Sequence, residues 1–182
     1  MAALLGFSRA MDRVSAAFGV IASWMVLLSC VISAGNATIR YGLNYSSNAW
    51  LEVQWYLFAG IVMLGASVTL LKNEHVRVDL VFGNLGTRAR LWVDVLGLIF
   101  FLLPAMSLLA WMTWPFFLDS WQRMEESSNA GGLIRWPVKL LLPVGFLLLS
   151  LQGVSELIKR IALLRGLRPE GEVVVEYHRP EQ

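Results

Sequence analysis

Four long apolar stretches govern what this chain can become. They run roughly over 14–35, 50–71, 91–114 and 138–158. Each holds about 21–24 residues, about 32–36 Å of helix, against a hydrocarbon core about 30 Å thick. The expected fold is therefore an all-α membrane protein with four transmembrane helices. Hydrophobic residues make up 57% of the chain and charged ones 15%, where a soluble domain carries about 25% charged. Nearly all of the 182 residues go to spans and short connections, so residues 1–166 read as one membrane domain and 167–182 as a polar cytoplasmic tail.

Lysine and arginine alternate in density from one connection to the next. Arg9 and Arg13, then Lys72, Arg77, Arg88 and Arg90, then Lys159, Arg160, Arg165, Arg168 and Arg179 fall on one side. Arg40, Arg123, Arg135 and Lys139 fall on the other, so the division is eleven against four. The positive-inside rule then places both termini and the second connection in the cytoplasm. The start of the chain imitates a secretory signal, ending in Ser33-Ala34-Gly35-Asn36-Ala37. Its apolar run is longer than the usual h-region of about 7–15 residues, and an uncleaved first helix is expected. The formal charge of +2 is too small to point to nucleic acid. Cys30, the only cysteine, excludes an intrachain disulfide and reads as a packed thiol.

Trp50, Trp55, Trp92, Trp111, Trp114 and Trp136 flank the spans, where an amphipathic indole settles at headgroup level. Ser15, Gly19 and Ser23 recur at a spacing of four, and Gly65 and Thr69 repeat the theme. Small residues so spaced let helix backbones approach closely in lipid. Pro104 and Pro143 each remove a backbone hydrogen bond inside a span, whereas Pro137 suits a first turn. In the second connection Val78, Val81, Phe82 and Leu85 fall at i, i+3, i+4 and i+7. That spacing predicts a short amphipathic interfacial helix between the second and third spans.

The chemistry-bearing residues are few. His75 and His178, the only histidines, lie outside the spans, which argues against a four-helix haem anchor with paired axial ligands. Glu74, His75 and Asp79 match no zinc spacing. Glu52, Asp94, Lys139 and Glu156 lie within about a turn or two of an interface, where snorkelling or partial hydration is available. The central thirds of the spans carry no formal charge, and no pair of broken helices marks an internal transport site. These residues imply an accessory or scaffolding membrane subunit that binds no metal or cofactor of its own. The alternative is a membrane anchor subunit of a redox or other multi-subunit complex.

Several local strings are more specific. Glu52-Val53-Gln54-Trp55-Tyr56-Leu57-Phe58, Leu64-Gly65-Ala66 and Asn73-Glu74-His75-Val76-Arg77-Val78-Asp79 occur in that order. Glu126-Ser127-Ser128-Asn129-Ala130-Gly131-Gly132 follows, then Trp136-Pro137, Lys139, Leu151-Gln152-Gly153 and Glu156. Together they resemble the small permease subunit of TRAP transporters, the DctQ family, over essentially the whole chain. The resemblance implies a bacterial inner-membrane system in which a periplasmic DctP-like receptor captures an organic acid. A large DctM-like subunit holds the sodium and substrate sites and moves as an elevator, and the small subunit packs beside it in the lipid. Energy comes from the sodium gradient. The same resemblance leans towards a 2-oxo or 2-hydroxy monocarboxylate. It makes Glu52, Gln54, Trp55, His75, Arg77, Asp79, Trp136, Lys139, Gln152 and Glu156 the structural or partner-contact candidates. Glu52 and Gln54 read as interhelical hydrogen bonders, and Arg77 as a ligand for lipid phosphate or a partner carboxylate. The plainer reading of each is membrane orientation and headgroup anchoring.

Overall fold

Lipid offers no hydrogen bond to an exposed backbone, so a segment that crosses it must satisfy its own amides, which a helix does. The computed structural model describes residues 2–45, 47–75 and 85–167 and is all-helical there. Four helices are long and apolar enough to cross a membrane: α1 (Ala2–Leu43), α2 (Asn48–Leu71), α3 (Thr87–Gln122) and α4 (Trp136–Leu164). Each expected span lies inside one of them. The amphipathic segment expected between the second and third spans falls on 76–84, outside the described residues.

The helices outrun their apolar cores. At 1.5 Å per residue α1 is about 63 Å long and α3 about 54 Å, roughly twice a hydrocarbon core. Stretches expected as polar connections are therefore helical in part, including 36–43, 115–122 and 159–164. Hydropathy marks where a helix leaves lipid, whereas hydrogen bonding marks where it ends.

Three of the four helices close in the same way. Asn73, Met124 and Gly166 take left-handed φ values of 58°, 47° and 67° just past α2, α3 and α4. In each case two amides turn back onto the last helical carbonyls. Asn73 donates to Leu70 and Glu74 to Thr69; Met124 donates to Trp121 and Glu125 to Ser120; Gly166 donates to Leu163 and Leu167 to Ala162. These are Schellman caps. Glycine and asparagine tolerate that conformation, while Met124 adopts it with a side chain that disfavours it. At the other end of α2, Ser47 is the N-cap, its Oγ accepting from the Ala49 amide at 3.3 Å.

Pro104 acts as expected. A π-helical segment, Leu98–Leu102, interrupts α3 immediately before it, and the Leu103 amide reaches back to the Leu98 carbonyl. The wider turn absorbs the bond that proline cannot make. α4 runs unbroken through Pro143, with Pro137 in its first turn.

α4 is the hub. α1 and α2 pack on each other and both pack on α4, while α3 packs on its remaining side. Of the apolar window in α4, 50% is buried, against 11% in α1 and in α3. Met11, Leu64 and Leu148 form the apolar centre, flanked by Phe18, Met25, Leu141, Val144 and Leu151. Ser15, Gly19 and Gly65 face inwards as expected, whereas Ser23 is exposed and donates to the Gly19 carbonyl of its own helix. A Cβ on Gly19 would lie 2.9 Å from Val68 Cγ1, and one on Gly65 would lie 3.8 Å from Ala22. Cys30 departs from its expected packing and is exposed on the outside of the bundle. With no thiol partner, its surroundings can be lipid as readily as protein.

α2 and α4 approach each other backbone to backbone. A Cβ on Gly145 would sit 2.7 Å from Met63 Cβ and 2.8 Å from the Met63 carbonyl oxygen. Backbone cannot step aside as a flexible side chain can. Gly145→Ala is therefore expected to destabilise the bundle by about 1–3 kcal/mol, read as a lower unfolding midpoint by circular dichroism in detergent. Gly35→Ala, whose Cβ meets nothing within 4 Å, should not lower it.

Candidate functional site

Two polar knots sit at opposite ends of the bundle. The first forms where the chain begins and α4 ends. Gln152, Ser155, Glu156, Lys159 and Arg160 recur on α4 at i, i+3, i+4, i+7 and i+8, which places them on one face. Ser8, Asp12 and Ser15 form a matching face on α1. The Ser15 hydroxyl donates to Gln152 Oε1 at 2.8 Å, and Ser8 and Ser155 share a hydrogen bond of 2.8 Å. Asp12 Oδ1 accepts from Gln152 Nε2, Ser155 Oγ and Lys159 Nζ, each at 3.0 Å.

Glu156 lies at the middle of this knot. It accepts from Gln152 Nε2 at 3.0 Å and forms short ion pairs with Lys159 and Arg160. Arg160 Nε continues the chain of contacts to Asp94 on α3, donating to Oδ2 at 2.9 Å. Gln152 is fully buried, and Glu156 and Arg160 are each only 3% exposed. Isolated, each charge would cost several kcal/mol to remove from water. Together they compensate one another and join α1, α3 and α4.

The second knot forms around the connection between α3 and α4. Glu52, in the first turns of α2, is 4% exposed. Its carboxylate accepts from the Leu133 amide at 2.7 Å, from Asn129 Nδ2 at 2.8 Å and from the Ser127 hydroxyl in a short bond. The loop is braced within itself by Ser127 N–H to the Leu133 carbonyl at 3.0 Å and by an isolated bridge between Glu126 and Ile134. Gly131 turns the chain with φ 69°, and a Cβ on Gly132 would run into Ser127. Tyr56 Oη and Asn48 Nδ2 add bonds to the carbonyls of Ile134 and Ala130. The Glu126–Gly132 string thus supplies two of the three donors and the tight turns that wrap one carboxylate.

Beside it, Glu125 forms a short salt bridge with Lys139, and Arg135 Nη1 stands 3.9 Å from the same carboxyl. The Lys139 hydrogen bond, aided by the positive charges of Lys139 and Arg135, holds the Glu125 carboxyl below its usual range. Lys139 Nζ also lies 4.0 Å above the Phe116 ring. Trp136 meets Trp121 edge-on at 4.4 Å, and Phe117 and Trp114 extend the column along α3.

The expected site residues therefore divide. Glu52, Trp136 and Lys139 share the loop knot, and Gln152 and Glu156 share the other. Gln54 donates to the Trp50 carbonyl of its own helix, and Trp55 is 67% exposed on the outer face. His75 lies in the turn after α2, while Arg77 and Asp79 lie outside the described residues. Of the means available to Glu52, Asp94, Lys139 and Glu156, the structure uses protein partners. Each is engaged by protein groups, because the loop and the first turns of α1 fold over positions that hydropathy alone leaves at a wet boundary. Sequence reasoning missed Asp12, Lys159 and Arg160 as partners. Continuing the α4 helical face beyond Ile158 would have placed Lys159 and Arg160 beside Gln152 and Glu156. Among the described residues, no cluster of histidine, cysteine or carboxylate could hold a metal ion.

Four membrane-length helices, with buried polar groups occupied in holding the bundle together, define a multi-pass membrane protein with a structural interior. The chain matches the family model described as "Tripartite ATP-independent periplasmic transporters, DctQ component" over residues 29–163, and it belongs to that family. It is the small permease subunit of a TRAP transporter, a component of a transport system and not an enzyme. A tripartite system implies DctM-like and DctP-like partners. Comparison with curated proteins and with solved structures returns no match.

Lys159→Met leaves Asp12 and Glu156 facing each other without their shared cation. It should destabilise the subunit by about 3–5 kcal/mol, measured by denaturant unfolding in detergent. Adding Asp12→Asn should recover part of that loss as a coupling energy in a double-mutant cycle. At the other end, the lowered pKa of Glu125 means that its contribution is present above the ordinary carboxylate value of 4.5 and is lost as pH falls through the folded value. Acidification from about pH 6 to about pH 3 should therefore release the loop, seen as a fluorescence change from Trp121 and Trp136. Glu125→Gln should diminish that transition, the remainder belonging to protonation of the Glu52 carboxylate that holds the same loop.

Proposed function

We propose that this subunit braces the large DctM-like permease subunit in the bacterial inner membrane and widens its fixed scaffold. The assembled system takes up an organic acid, delivered by a DctP-like periplasmic receptor, at the expense of a sodium gradient. A 2-oxo or 2-hydroxy monocarboxylate is the proposed cargo. Sodium and substrate ligands belong to the large subunit, and this chain holds no cofactor. Both termini and the Asp12–Glu156 knot face the cytoplasm, in keeping with the excess of basic residues there, and the loop wrapped around Glu52 faces the periplasm.

The observation that carries this reading is the disposition of polar and apolar surface. The buried charges Glu52, Glu156, Lys159 and Arg160 are each engaged by neighbours in the same chain. That arrangement suits a brace, since a travelling ion needs ligands that can let go. Meanwhile α1 and α3 expose long apolar faces, with Val20, Trp24 and Val31 on one and Phe101, Leu108 and Trp111 on the other. Such faces suit lipid and a membrane-embedded partner.

Vesicles containing the large subunit, with receptor and a sodium gradient, provide the test. Adding this subunit should raise uptake of the organic acid by about tenfold or more, equivalent to about 1.4 kcal/mol of barrier. Full-rate uptake without it would remove the bracing role.

A further inference from the structure

α3 differs from the other helices in how it is held. Its packing comes from α4, and no comparable contact with α1 or α2 exists among the described residues. That support is uneven along its length. The C-terminal part, from Leu103 onwards, lies closely along α4 and is tied at its end by the Trp121–Trp136 pair. The N-terminal segment, Thr87–Gly97, makes a sparser contact, in which Leu91 meets Leu163 and Leu164. On the side facing α2, a lateral cleft of about 610 Å³ separates Val93, Gly97 and Phe101 from Leu70.

Between the two parts α3 is weakened three times within about two turns. Gly97 has no side chain to restrain its backbone, Leu98–Leu102 is π-helical, and Pro104 has no amide to donate. Helices bend at such places. At the same level α3 presses on α4: a Cβ on Gly153 would lie 2.6 Å from Leu102 Cδ2 and 3.2 Å from Leu103 Cδ2. That contact is a pivot. On its N-terminal side Leu91, Val95 and Leu98 are buried at i, i+4 and i+7, and Asp94 Oδ2 accepts from Arg160 Nε at 2.9 Å. Apolar contact has no direction, so the leucine and valine stripe can roll on α4 and stay buried. A hydrogen-bonded ion pair has a fixed reach, so Asp94 and Arg160 decide where the segment stands.

We propose that Leu98–Leu102 is a hinge and that the Asp94–Arg160 pair is its latch. With the latch made, Thr87–Gly97 stands in its observed position and the cleft is open. With the latch broken, the segment turns about Leu102 and Leu103 towards Leu70 and narrows the cleft, burying Val93 and Phe101. Arg160 keeps its partner when the latch opens, because Glu156 on the same helix still accepts from Nη1. Asp94 lies about two turns from the start of α3, where water can take the place of the guanidinium. The subunit then consists of a fixed bundle and one limb with two positions, which goes beyond its role as a brace.

Spin labels on the full-length subunit in lipid nanodiscs test this, with Cys30→Ser removing the native thiol. Ala89→Cys and Lys72→Cys, both at exposed positions, report on the limb. Met112→Cys and Leu147→Cys, also exposed, report on the C-terminal part of α3. Double electron–electron resonance should give one dominant distance for the first pair while the latch is intact. Asp94→Asn should raise the population of a second, shorter distance about tenfold, as loss of one hydrogen bond between charged groups implies. Arg160→Lys keeps a cation beside Glu156 and withdraws Nε from Asp94; it should act in the same direction, and it serves if the first variant does not fold. Adding Gly97→Ala, whose Cβ meets nothing within 4 Å, together with Pro104→Ala should suppress the shorter distance. The second label pair should stay unchanged throughout. One unchanged distance in both latch variants overturns the proposal. So does a joint shift of both label pairs, which means that α3 moves as a rigid rod, or a shorter distance that survives the two hinge substitutions.

Discussion

The fold depends on charges being placed where water cannot reach them. Glu156 is the central case. In a bilayer its carboxylate has no solvent to fall back on, so Lys159 and Arg160 on its own helix and Gln152 one turn away must answer it. Each of these donors also serves a second element, Asp12 on α1 or Asp94 on α3. Apolar packing in lipid discriminates weakly between helix faces, because the competing solvent is itself apolar. A shared set of charges does discriminate. Sliding or rotating one helix by a turn would strand a buried carboxylate. The knot thus selects one register among many greasy alternatives, the role for which buried polar groups are best attested.

The loop knot applies the same logic to irregular backbone. A connection between two helices carries amides that no helix satisfies. Here the Glu52 carboxylate takes up the Leu133 amide together with the Asn129 and Ser127 side chains. The loop becomes an ordered cap on the bundle. Lys139 and the Trp121–Trp136 pair then fix the start of α4 against the end of α3. Both knots join segments far apart in sequence, and between them lies an apolar middle built around Leu64 and Leu148.

Much of this was legible in the sequence, for identifiable reasons. Helix number and position follow from hydropathy, and the inward-facing Gly19 and Gly65 follow from their spacing. The string from Glu126 to Gly132 marks itself by its small, polar composition. The ends of the helices were less visible. Hydropathy falls at Lys159, yet α4 continues because its next face is charged and partnered. Met124 takes the left-handed cap conformation with nothing in its chemistry to announce it. Asp12 reads as a residue of a polar leader until α1 is known to begin at Ala2 and to carry it against α4. Pairing across more than a hundred residues leaves no local trace.

The helix on which all the others rest is the last to be made. Until α4 enters the membrane, Lys159 and Arg160 have not yet met Asp12 and Asp94, and Gly19 and Gly65 join α1 to α2 alone. Assembly of this subunit is therefore a late commitment. α1 and α2 already pack on each other, α3 stands apart from them, and insertion of α4 locks the relative heights and rotations of all three.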